Sequence, residues 1–208
     1  MNNKLSIFLL IIFYLFLTGC TDPKDLQDTK STSKLTLKQA IELAYSDAVL
    51  WNKQAKLIDA TSIDNDDKQT GGDGRRRYWN ITFGIPNTND LYLVNIHDGK
   101  INEHVSFPNE GEELRPKAYF ITNLSEIKYD TPELLKKAKS LTNLYPGDVF
   151  AKGYNFGITK DPKKNIILVK IIGWDKERKK MKYLLFNGET GELHNEFEKN
   201  QYKGEEKH

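Results

Sequence analysis

Tyr92-Leu93-Val94-Asn95-Ile96-His97-Asp98-Gly99-Lys100-Ile101 reads as a strand, a two-residue turn and the start of a second strand. Asp-Gly readily takes the positive backbone angles of a tight hairpin, and strand-forming residues flank it on both sides. Working outward, strands are expected at 57–63, 78–85, 91–96 and 101–107, with an acidic, glycine-rich loop at 64–74 and a turn at 86–90. Ahead of them, Leu37, Ala40, Ile41, Ala44, Ala48, Trp51 and Ala55 recur at helical spacing behind a Thr36 cap. The order is one helix and then four antiparallel strands.

That order returns in the second half. Asp130 or Thr131 can cap a helix with Pro132 at its first position and Leu134, Leu135, Ala138, Leu141 and Leu144 facing the core, stopped by Pro146-Gly147. Strands are expected at 119–122, 149–159, 166–174, 181–186 and 192–197. Tyr183-Leu184-Leu185-Phe186-Asn187-Gly188-Glu189-Thr190-Gly191-Glu192-Leu193 then parallels the first hairpin. The sequence therefore predicts an α+β fold of two repeats, each one helix packed on an antiparallel β-sheet. Repeat 1 spans 35–107, a connector 108–128, repeat 2 129–198 and a disordered tail 199–208.

A helix followed by strands that close on Tyr183 to Leu193 is similar to the PepSY module of bacterial envelope proteins and of thermolysin-type propeptides. Asn187 stands where that family's closing turn carries an acid, and the first half shortens the turn to Asp98-Gly99-Lys100. The resemblance implies a PepSY- or cystatin-like sheet with a helix across it, used for binding or inhibition. It supplies no catalytic residues.

The amino terminus gives an address. Lys4, an apolar run from Leu5 and then Leu17-Thr18-Gly19-Cys20 resemble the signal peptide and lipobox of bacterial lipoproteins, with 1–19 removed and Cys20 acylated. Residues 20–34 are polar and read as a flexible tether. With Cys20 the only cysteine of 208 residues, no disulfide or cysteine nucleophile remains once it is lipidated. The protein is expected outside the cytoplasm, held to the bilayer through Cys20.

Composition narrows the chemistry. The net charge is +2 with 29% charged residues, so no global pull toward nucleic acid or membrane exists, any electrostatic role must be local, and a nucleic-acid partner is not expected. His97, His104, His194 and His208 are scattered, and the loop beginning Asp64-Asn65-Asp66-Asp67 fails the EF-hand spacing, so neither metal nor cofactor is expected. No nucleophile elbow, phosphate loop or walled carboxylate pair is present, which points away from an enzyme. Trp51, Trp79 and Trp174 are assigned to core packing.

Two basic clusters remain: Arg75, Arg76 and Arg77, and Lys176, Arg178, Lys179 and Lys180. Each borders a hairpin, and together they form the candidate binding surface. The expected function is non-enzymatic binding or modulation of another envelope protein, with a peptidase as one candidate. The alternative is an envelope module that holds an anionic polymer or ligand through the basic hairpins.

Overall fold

A computed structural model describes residues 33–66, 70–107 and 114–200. Cys20, the signal segment, most of the tether, Glu110, Glu112, Glu113 and His208 lie outside the described residues. The elements are α1 (Leu37–Trp51), β1 (Lys56–Ser62), β2 (Tyr78–Gly84), β3 (Leu91–His97), β4 (Lys100–Phe107), α2 (Thr131–Leu141), β5 (Asn155–Asp161), β6 (Ile166–Trp174), β7 (Lys180–Asn187) and β8 (Leu193–Asn200). Lys199 and Asn200, expected in a tail, are the last residues of β8.

Local chemistry sets the helix ends. The Thr36 hydroxyl accepts from the Gln39 amide while the Gln39 side chain accepts from the Thr36 amide, a reciprocal cap that satisfies two otherwise orphaned donors. Asp130 caps α2 by accepting from the Thr131 amide, and Pro132 occupies the first turn, where a missing N–H costs nothing. The two caps also meet. The Leu37 amide donates to the Thr131 hydroxyl and the Lys38 amide to Asp130, so both helices start from one point.

The expectation of two helix-on-sheet repeats, which left open whether they share a sheet, is corrected here. All eight strands form one antiparallel sheet in the order β4-β3-β2-β1-β5-β6-β7-β8, with only two α-helices, so the fold is dominated by a single sheet. The join is β1 against β5, where Ala60 faces Ile158 and Thr61 faces Gly157. Two four-stranded sheets would each leave a bare inner edge with unpaired amides, and pairing those edges removes both. Leu37, Ala40 and Ile41 of α1, Leu134 and Leu135 of α2, and alternate residues of all but the outermost strands share one hydrophobic core. Both helices therefore lie on the same face.

Smaller differences have local causes. The strand expected at 119–122 is a 3-10 turn, Lys117–Tyr119, followed by a single bridge from Ile121 to Leu57. The strand expected from 149 starts only at Asn155, because Ala151 (φ 47°) and Gly153 (φ 70°) turn the chain back so that Gly147 and Gly153 pair. α2 stops at Leu141, which is 51% exposed, whereas Leu144 is buried from an extended segment. Trp79 and Trp174 are buried, and Trp51 stacks on Tyr92 at 4.8 Å.

Strand directions put the chain entry, the loop 63–77, the Asp98-Gly99 turn, the segment 142–154 and the hairpin 175–179 at one end of the sheet. Asp98 (φ 50°) and Gly99 (φ 71°) make the two-residue turn that the opening stretch predicts.

Candidate functional site

The first basic cluster is absorbed into the fold. Arg76 is fully buried, donating from Nη1 to the carbonyls of Lys152 (3.0 Å) and Tyr154 (3.4 Å) and from Nη2 to that of Ile63 (2.7 Å). Carboxylate oxygens of Asp64 and Asp66 stand 3.9 Å from Nη2. Burial pushes the Arg76 pKa down, and Asp66 and then Asp64 oppose that shift. Arg77 forks onto Asp98 through Nε and Nη2 and reaches Asp66 through Nη1 at 3.1 Å. Its pKa is raised, chiefly by the hydrogen bond to Asp98. Arg75, partly exposed, donates to the Gln39 side chain at 2.9 Å.

The expectation of a three-arginine surface therefore needs correcting. Arg76 is a clasp that ties the β1–β2 loop to the segment entering β5, and Arg77 ties that loop to the β3–β4 turn. Three backbone carbonyls accept from the two Nη atoms and two carboxylates stand close by, which offsets the burial of the charge, although Nε meets no acceptor among the described residues.

The second cluster stays at the surface. Asp175 accepts from the amides of Lys179 and Lys180 and closes the turn. Arg178, in the left-handed region (φ 56°), donates to the Pro146 carbonyl and pairs with Asp148 at 3.4 Å. Lys180 pairs with Glu198 at 3.1 Å. Lys176 and Lys179 are exposed, and neither head has an ion-pair partner among the described residues.

Beside this hairpin the loop 147–153 lifts Val149 and Phe150 into solvent, 83% and 62% exposed. Their exposure carries no sequence signal beyond two apolar residues after Pro146-Gly147. Phe150 stands edge-on to Trp174 at 6.5 Å and separates two recesses. One, of about 300 Å³, is bounded by Asp148, Trp174, Glu177, Arg178 and Lys179. The other, of about 230 Å³, has Thr61, Asp64 and Asn155 on one side and Ile172, Met181 and Tyr183 on the other.

This second recess opens on the sheet face that carries no α-helix. Across it, Asn102, Asn95 and Asn80 form a hydrogen-bonded row over β4, β3 and β2. On the β6–β8 side, Ile172 faces Tyr183, which stacks on Phe197 at 4.8 Å. Between these regions Asp59 accepts from the Thr82 hydroxyl, and Lys170 lies against Gly157. Burial raises the Asp59 pKa, and Lys170, Thr82 and Arg115 pull it down. Burial lowers the Lys170 pKa, and Asp59 opposes it.

His104 is 3.1 Å from Asp47, His97 packs on Tyr78 and His194 lies beside Lys164, each a separate contact. Among the described residues no cluster of three or more potential metal ligands occurs. Nor is any described helix long and apolar enough to cross a membrane.

No protein-family model matches this chain, and no curated protein matches its sequence. Its fold is similar to the crystal structure of a candidate lipoprotein (CD1622) from Clostridium difficile 630. The TM-score is 0.55, with 13% identity, covering 75% of this chain and 90% of that one. The likeness is one of fold.

Proposed function

We propose that this is a lipid-anchored lipoprotein of the bacterial envelope, facing away from the cytoplasm, whose sheet body binds and modulates another envelope protein without catalysing a reaction. The address is supported by Leu17-Thr18-Gly19-Cys20 behind an apolar run and by the fold shared with a candidate lipoprotein. The binding role rests on one observation. The helix-free face presents an accessible ladder, Ile172, Tyr183 and Phe197, beside a recess with polar groups on its other side. Apolar anchors next to convergent polar groups are the make-up of a recognition site. The resemblance of residues 183–193 to the PepSY turn points to a peptidase as the partner class.

Two measurements test this reading. Cys20→Ala should move the protein from the membrane fraction to the soluble one, and continued labelling of that variant by fatty acid would refute the anchor. A lipid-free domain should capture a saturable protein partner from envelope extracts, with capture lost in Tyr183→Asp. Salt-sensitive retention on an anionic polymer, with no protein captured, would replace the protein-binding reading by the polymer-binding one.

A further inference from the structure

We propose that the end of the sheet bearing Val149, Phe150 and the 175–180 hairpin rests on an anionic lipid bilayer, the two apolar side chains entering the interface while Lys176 and Lys179 meet headgroup phosphates. The inference rests on the lipid-anchor reading.

The chain enters the fold at this end. Leu35 exchanges both backbone hydrogen bonds with Arg76, and Ser33 packs against the Asp98-Gly99 turn. Twelve residues lie between Cys20 and Ser33, thirteen steps that span at most about 47 Å when fully extended. An anchored Cys20 therefore keeps this end within reach of the membrane at high effective concentration, where a contact too weak to hold a free protein is populated.

The apolar tip is braced. The Gly147 and Gly153 amides exchange hydrogen bonds, Asp64 accepts from the Lys152 amide, Asn155 donates to the Ala151 carbonyl, and Arg76 holds the Lys152 carbonyl. Because the base is fixed by these bonds, little ordering is left to lose on contact. Of the neighbouring acids, Asp148 pairs with Arg178 and Asp73 lies 3.9 Å from Lys34, while Asp175 is turned onto the Lys179 and Lys180 amides and keeps its charge inside the turn. Glu177 is the exposed acid that remains against Lys176 and Lys179. An apolar pair flanked by free lysines has the composition that binds an anionic interface by combined insertion and charge.

The test uses the acylated full-length protein in vesicles of phosphatidylglycerol and brominated phosphatidylcholine, with Phe150→Trp as reporter. Read as the difference from the parent protein, whose Trp51, Trp79 and Trp174 supply the background, the reporter should lose roughly half of its emission to bromine in anionic vesicles. Removing phosphatidylglycerol, or adding Lys176→Gln with Lys179→Gln, should restore it. A reporter that stays bright in anionic vesicles while the protein remains attached would overturn the proposal. So would quenching indifferent to both lipid charge and the lysines, or protection of the reporter from iodide by a soluble anionic polymer with no quenching by lipid. Failure of the protein to stay on vesicles would refute the anchor and this inference with it.

Discussion

Two runs of positive charge, Arg75 to Arg77 and Lys176 to Lys180, look alike on paper and end in opposite environments. The first is drawn inside, where Arg76 loses all contact with water and Arg77 is forked onto a carboxylate. The second stays out, with Lys176 and Lys179 exposed. What separates them is the supply of oxygen acceptors within reach. Asp64, Asp66 and three carbonyls converge on Arg76, while the 175–180 turn spends Asp175 on its own backbone. Charge in a sequence thus specifies a surface only where no acceptor cage is built around it.

The contrast predicts a graded series. Arg76→Ala should cost most, about 3–5 kcal/mol, because it leaves the carbonyls of Ile63, Lys152 and Tyr154 without their donor and removes a cation beside the buried Asp66. In a chain of this size that corresponds to a fall of roughly 10 °C in melting temperature by circular dichroism. Arg76→Lys should recover only part of it, since one ammonium cannot serve three carbonyls along separate directions. A loss below about 1 kcal/mol for Arg76→Ala would mean that the clasp contributes little. Arg77→Ala should come next, at about 1–2 kcal/mol, as a partly exposed charge-assisted fork onto Asp98 is lost.

Lys170 is the intermediate case, a half-buried cation interacting with Asp59 without a close ion pair. Because burial raises the Asp59 pKa, the folded protein holds that proton more readily than the unfolded chain does. Asp59 therefore favours the folded state at acid pH, and stability falls as pH rises from the ordinary carboxylate range through the raised value. Denaturant titrations across that window should show Asp59→Asn with a flatter pH dependence than the parent, and identical slopes would contradict the sign. At the bottom of the series, Lys176→Gln with Lys179→Gln should leave unfolding within about 0.5 kcal/mol of the parent.

The short-range part of the structure was legible from residues alone. The Asp98-Gly99 turn and the Thr36 and Asp130 caps are decided by neighbours a few positions apart, and the expected elements at those places match. The continuous sheet was not legible, because β1 and β5 meet across almost a hundred positions and no turn residue announces their pairing. The burial of Arg76 was half visible. Asp64 and Asp66 precede it in a loop with three glycines, a complementary set within a dozen residues, but the carbonyls of Lys152 and Tyr154 come from the other half. Phe150 had no legible role, since exposure depends on the Gly147 to Gly153 closure beneath it.

The join between β1 and β5 also orders events during folding. It registers only Ala60 with Ile158 and Thr61 with Gly157, whereas the β2–β3, β5–β6 and β6–β7 hairpins each close a short loop and zip along most of their length. Loop-closure entropy delays contacts between distant residues, so the hairpins of both halves assemble before the seam does. Until then β1 and β5 each present a bare edge of unpaired amides, and a newly made chain passes through an interval in which another copy's edge competes with its own. The narrow joint that makes the sheet continuous is also where two nascent molecules can exchange partners.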